Sequence, residues 1–460
     1  MKPRLAAILV VSAFSLTALA GCGGGPSSYP EGLGEQCNPQ LVSDCGADVW
    51  TVHGLRREGH WGFGLTTSSE HSLVIEDFRL VGYEIPLNIQ SGGCATCTLT
   101  LRDGYVETAE SGMGPGSLGI RLFGTWSSIL IENVTVVVRS YSSGIHRGFE
   151  TANDPPTMAL HDVRIIGKGL PPPGAKGYQT TTPVGFYYIQ LVAGGSVDLR
   201  GVDVSGFGAG LGIVSETITA DHLAVDNTTR GALLAGAHMT VVGASAQGNV
   251  QSGLSLYGAR YGPGSAAEVR VRDVRAERNG VGLNVSASTG IDMQGVIARN
   301  NGYGLRIDVR EASPAAARDI VASDNRYAGL DVAGTGLRIT NATLLRNGLG
   351  APDPAAGRSP EMYGGIVAGI SLGIPDIPFP PQPPTIPPTS PAAAAIIEAS
   401  WLEGNVPYGV VTSPGTVVAA ADNWWGTAEG PSLTVGPVVV PTGGDAVSSG
   451  VQFAPWRTTP

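Results

Sequence analysis

From residue 227 onward the chain repeats one pattern of apolar and polar positions. In Asn300–Val309, "NNGYGLRIDV", a glycine opens an alternating run in which Leu305 and Ile307 face one way and Arg306 and Asp308 the other. The same order returns in "NTTRGALLAG" (Asn227), "NVQSGLSLYG" (Asn249), "NGVGLNVSAS" (Asn279), "NRYAGLDVAG" (Asn325) and "NVPYGVVTSP" (Asn405), with steps of 22 residues from Asn227 to Asn249, Asn279 to Asn301 and Asn325 to Asn347. One and three residues after the glycine stand apolar pairs: Leu254 and Leu256, Leu283 and Val285, Leu305 and Ile307, Leu330 and Val332. A second β-rich run, such as "LRITNATLLRNG", then leads to the next asparagine. Each unit is one turn of a solenoid.

A single turn of this length cannot bury its own apolar side, so neighbouring turns must stack about 4.8 Å apart and share one interior. The expected fold is an all-β, single-stranded right-handed parallel β-helix of about a dozen coils, a rod on the order of 60 Å long. A leucine-rich repeat has a similar period, but its further leucine or helix signals are missing. Asparagine suits the corner because it tolerates left-handed backbone angles and can hydrogen-bond to copies above and below, and glycine is expected to supply the bend into the strand. Weaker glycine-led strands at Gly119, Gly144, Gly185 and Gly210 extend the array upstream. The boundaries read as residues 1–22, a signal segment; 23–60, a flexible tether and disulfide-containing N-terminal cap; and 61–460, the β-helix. Insertions at 168–183, 350–363 and 374–391 leave the rod, the last an exposed polyproline-like loop.

Composition narrows the address and the partners. Lys2 and Arg4, the apolar run Leu5–Leu19 and the small residues after it form a secretory signal. Its end, "LAGC" at Leu19–Cys22, resembles the lipobox of bacterial lipoproteins, which implies acylation of Cys22 and a membrane partner through that lipid. Gly23 stands where enteric inner-membrane retention would show Asp, which favours the outer membrane. Sixty-seven glycines fit a turn-rich chain, and a net charge of −10 with only three lysines, Lys2, Lys168 and Lys176, argues against nucleic acid as a partner. Cys37, Cys45, Cys94 and Cys97 form an even set in a compartment that permits disulfides, and the local pairs Cys37 with Cys45 and Cys94 with Cys97 are the simplest of three connectivities.

The C-terminus, "DNWWGTAEGP" at Asp422–Pro431 with "GGDAVSSGVQFAPW" up to Trp456, resembles the closing segment of bacterial right-handed β-helix repeat proteins of the pectin-lyase-like superfamily. That superfamily holds lyases, hydrolases and epimerases as well as adhesins and non-enzymatic surface proteins, so the resemblance implies a fold and leaves activity open. Trp424 and Trp425 are expected to plug the end of the core, with a sugar-stacking platform as the other use of two such rings. The enzymes of the superfamily act on an outward strand face with converging carboxylates or a lowered-pKa base. No His-Gly of the polygalacturonase kind and no Arg-x-Pro-x-x-Arg of the pectate-lyase kind appears in the coils, the one His-Gly, His53–Gly54, lying in the 23–60 stretch before them, and no motif supports a cofactor or calcium.

What the pattern offers instead is a row of outward positions. Tyr257, Asn284, Arg306, Asp308 and Asp331 fall on consecutive coils if the register holds, a set expected to be a solvated cross-strand ion pair with its neighbours, with sugar binding as the alternative. A looser set, His146, Arg147, Asp154 and His161, lies beside the 168–183 insertion. The expected function is that of a monomeric, lipid-anchored cell-envelope protein binding carbohydrate or serving as a structural surface. The alternative is a polysaccharide lyase or glycoside hydrolase.

Overall fold

Why the repeat closes into a rod follows from which groups each coil can satisfy by itself. The computed structural model describes residues 40–460 except 43, 60–61, 92–93, 95, 111–117, 140–142, 151–156, 169–183, 191–193, 259–266, 310–313, 351–363, 369–393, 436–437 and 441–442. The signal segment, Cys22, Cys37 and Asp154, and nearly all of the three expected insertions, lie outside the described residues. Within them the secondary structure is entirely strands and turns, and the pairing is parallel except for the hairpin of Pro431–Val435 with Val438–Val440. The fold is the expected parallel β-helix.

Each regular coil contributes three strands to two sheets. In one, Ala209–Val214 lies in sheet A while Thr217–Asp221 and Ala224–Asp226 lie in sheet B, and each pairs with its equivalent one coil on: Arg230–Gly236, His238–Val242 and Ser245–Gln247. The first parallel pairings join Val49–His53 and Arg56–Glu58 to Ser72–Tyr83, so the solenoid begins inside the 23–60 stretch expected to form the cap. The inward pairs predicted from the alternation, Leu254/Leu256 through Leu330/Val332, are all fully buried in one continuous core. At roughly 25 cal/mol per Å², burial of these side chains dominates the stability of every coil.

The corner between sheets B and A departs from the expected roles of its residues. Asn249, Asn279, Asn301, Asn325, Asn347 and Asn405 form a buried ladder in which each side-chain amide before the last donates to the Oδ1 of the next coil, at 2.8 Å from Asn249 to Asn279 and 2.8 Å from Asn325 to Asn347. The other amide hydrogen reaches a backbone carbonyl of the preceding coil, as from Asn301 to Ala276. The left-handed residue is the one before the ladder asparagine: Asn227, Arg278, Asn300, Asp324 and Arg346 have φ between 51° and 57°. Asn227 is therefore not a ladder member, and Thr228 takes that place, its hydroxyl donating to Asn249 Oδ1 at 2.6 Å. The glycine that opens each sheet A strand is also explained differently. Gly304 does not have a positive φ; a Cβ there would meet Gly329 O at 2.5 Å and Asn325 Nδ2 at 2.9 Å. Space between stacked coils excludes a side chain.

The far end is closed by the segment expected to close it. Trp425 is fully buried in the core, whereas Trp424 is only half-buried, so one of the two rings is a plug and the other is not. Trp456 lies over Gly430 and packs 5.9 Å from Phe453. Near the start, Cys94 and Cys97 are joined, with Cα atoms 5.4 Å apart, and Cys45 is disulfide-bonded as well.

Candidate functional site

The register places the outward residues where the alternation puts them. On sheet A, Leu233, Ser255, Asn284, Arg306, Asp331 and Val367 are consecutive partners along the axis, and beside them run Ala235, Tyr257, Ser286, Asp308 and Ala333. The result is a polar strip about four coils long between apolar ends. Tyr303 and Tyr408 border its far end, packed with Val367 and Val411.

Within the strip the side chains bond along the axis. Asn284 Nδ2 donates to the Tyr257 hydroxyl at 3.0 Å, and Ser286 Oγ donates to Asp308 Oδ2 at 3.4 Å. Arg306 Nε faces Asp331 Oδ2 at 3.4 Å. This pair differs from the solvated one that the sequence suggested: its side chains are 14% and 3% exposed, and Asn284, Ser255 and Ser286 are buried too. The reason is the spacing of coils, which lets Tyr257 lie over Asn284 and Arg306 over Asp331 and so shut water out of a row that points away from the core.

Burial decides the electrostatics. Loss of hydration pushes the Asp331 carboxyl up to about 7, the nearby Asp308 adds to the rise, and the Arg306 charge opposes it. Asp331 Oδ1 is buried without a hydrogen-bond partner among the described residues. A carboxyl in that state can hold a proton near neutral pH, which is the condition for acting as a general acid and equally for donating one hydrogen bond to a ligand.

The second candidate set does not come together. His146 is on the outer row of sheet A, in register with Arg121, and burial with the Arg121 charge holds its pKa down to about 4. Arg147 occupies the inward register position beside Leu122 and is completely buried, so the alternation that puts leucines inside puts a guanidinium there. His161 is on sheet B, with Nε2 3.2 Å from Asp198 Oδ2. Three residues near in sequence thus point to two faces and the interior. The residues form a set along the sequence, but counting two by two from Gly144 separates His146 from Arg147. Among the described residues no group of three His, Cys, Asp or Glu side chains is arranged to hold a metal ion.

The fold and strip define a parallel β-helix protein with a polar, largely closed outer face. Neither a family model nor a curated protein matches the chain. Among solved structures it is similar to the periplasmic alginate epimerase AlgG, at 13% identity and a TM-score of 0.35, covering 91% of this chain and 81% of that one. A double mutant of the same epimerase matches over the same shares at a TM-score of 0.30.

Proposed function

We propose that the chain is a lipid-anchored cell-envelope protein whose sheet A outer face binds carbohydrate. The observation that carries this reading is the strip itself, where a phenol, an amide, a guanidinium, two carboxyls and two serine hydroxyls are gathered over about four coils between Leu233 and Val367. That mixture suits sugar hydroxyls, which both donate and accept, and it is a costly choice for a merely structural face, because buried polar groups without good partners destabilise. The protein acts as a monomer, without a cofactor and without nucleic acid, held to the membrane by acyl chains on Cys22 and spaced from it by the "GGGPSS" tether. Glycan-array binding by the detergent-solubilised full chain tests the reading. Binding that falls at least tenfold in Arg306→Ala is expected, and silence across neutral and acidic glycans overturns it. For the address, Cys22→Ser should move the protein out of the membrane fraction.

One observation favours a second reading, a polysaccharide lyase or glycoside hydrolase: the Asp331 carboxyl that stays protonated up to about 7 beside Asp308 and Arg306. Hydrolysis needs one carboxyl to protonate the leaving oxygen and a second to attack or to activate water. Release of reducing ends or unsaturated sugars that disappears in Asp331→Asn would establish it; polysaccharides left intact by the native chain would dismiss it.

A further inference from the structure

Trp424 and Trp425 have separate jobs, and Trp424 has a partner. Trp401, first residue of strand Trp401–Glu403, points outward from sheet B, since Leu402 beside it is fully buried. It pairs in register with Thr343 on the coil before and bridges to Trp424 on the coil after. Trp401 is 40% exposed, which makes it an outlier in a chain that buries Trp50, Trp126 and Trp425 almost completely. Its indole nitrogen donates to Glu403 Oε2 at 2.7 Å, which fixes the ring plane relative to the strand. The Trp424 indole nitrogen is buried and has no hydrogen-bond partner among the described residues.

We propose that Trp401, Trp424 and Glu403 form a second carbohydrate site, on sheet B, that takes a neutral pyranoside. The Trp401 ring offers its face to the apolar C–H side of a sugar, and the rigid indole loses little conformational freedom on doing so. Glu403 accepts from hydroxyls at the edge of the same ring. The charges set the ligand class. Arg338 is engaged by Glu398 at 2.6 Å, Arg346 by Asp324 at 2.7 Å and Arg457 by Asp422 at 3.1 Å, and Arg346 also feels the Glu403 charge, so these three cations face four carboxylates. That excess of negative charge, with Glu403 beside the ring, repels a uronate carboxylate. The ligand class rests on the carbohydrate reading above, but the residues are on the other sheet and do not depend on the strip.

The test titrates the detergent-solubilised full chain with neutral gluco-oligosaccharides and with oligogalacturonates, read by tryptophan fluorescence and saturation-transfer NMR. Neutral sugars should bind, at least tenfold more weakly in Trp401→Ala, at an intermediate level in Trp401→Phe and several-fold more weakly in Glu403→Gln. Arg270→Ala, an exposed substitution outside both sites, should leave this binding within twofold. Native affinity in Trp401→Ala, equal binding of the uronates, or no binding of neutral sugars overturns the site. Loss of all binding in Arg306→Ala with none in Trp401→Ala overturns the platform and leaves the strip standing. Melting of Trp401→Ala within a few degrees of the native chain confirms that the fold is intact, as expected for an exposed side chain.

Discussion

At Asp331 a single buried carboxyl ties stability to pH, and the direction follows from which state holds the proton more tightly. Its pKa rises from an ordinary 3.8 to about 7 on folding. Between those values the folded chain binds more protons than the unfolded one, so this group's contribution to stability is largest at low pH and declines as pH climbs from about 4 to about 7. Asp331→Asn removes that slope. At pH 4 the native side chain is neutral, as asparagine is, and the two proteins should melt within about a degree of each other. At pH 8 the variant should melt several degrees higher, because it no longer ionises a group out of contact with water; thermal melts from pH 4 to pH 8 decide it, and a variant less stable at pH 8 would mean that the Arg306 charge outweighs the burial. His146 acts in the opposite sense. Its folded pKa of about 4 lies below its ordinary 6.5, so its share of stability is lost as pH falls through that range.

At the scale of the coil, the corner shows how much of the fold the sequence makes legible and where reading stops. The alternation after each glycine identifies the core pairs without error because period two on a buried face permits one answer. The corner has no such redundancy: Asn227 and Thr228 both fit a turn, and only three-dimensional stacking reveals that the threonine continues the ladder while the asparagine adopts the left-handed angle. The glycine was readable as a requirement but not as a reason, since a positive φ and a close contact leave the same letter. These two roles predict different responses. Gly304→Ala forces a methyl against the Gly329 carbonyl and should destabilise by about 1–3 kcal/mol, whereas a glycine kept for its backbone angle would tolerate D-alanine. Asn325→Ala strips acceptors from the backbone N–H and side-chain amide of Asn301 and should cost roughly 3 kcal/mol or more, measured by chemical denaturation. The strip illustrates the other limit. Its register was legible to the residue; its burial was not, because exposure depends on what long side chains on neighbouring coils lie over, and an alternation pattern is silent about that.

For the molecule as a whole, the axial ladders give the rod a direction, and its two ends need different chemistry. In the ladder one amide hydrogen of each asparagine goes to the next coil and the other back to a backbone carbonyl of the coil before, so the last forward-pointing hydrogen meets a position that needs only an acceptor. Asp445 stands there: the Asn405 amide donates to its Oδ2 at 2.6 Å and the Asn405 backbone N–H to both oxygens at 3.2 Å. Burial pushes Asp445 up to about 6 while those donors hold it down. An acceptor-only group ends an aligned chain of dipoles, and Trp425 seals the apolar interior beside it, its ring 3.3 Å from where a Gly409 Cβ would sit. In a one-dimensional array each coil is supported only by its neighbours, so damage at an end is felt there first and spreads inward. Trp425→Ala should therefore cost about 3–5 kcal/mol, and hydrogen exchange should quicken in the coils from Ile366 to Val451 while the amides of Leu254–Leu256 and upstream stay protected. Trp424→Ala should leave that protection pattern unchanged, since its ring is not part of the core. Uniform loss of protection along the whole rod in Trp425→Ala would mean that the solenoid melts as one cooperative unit and that the closing segment holds more than its own end.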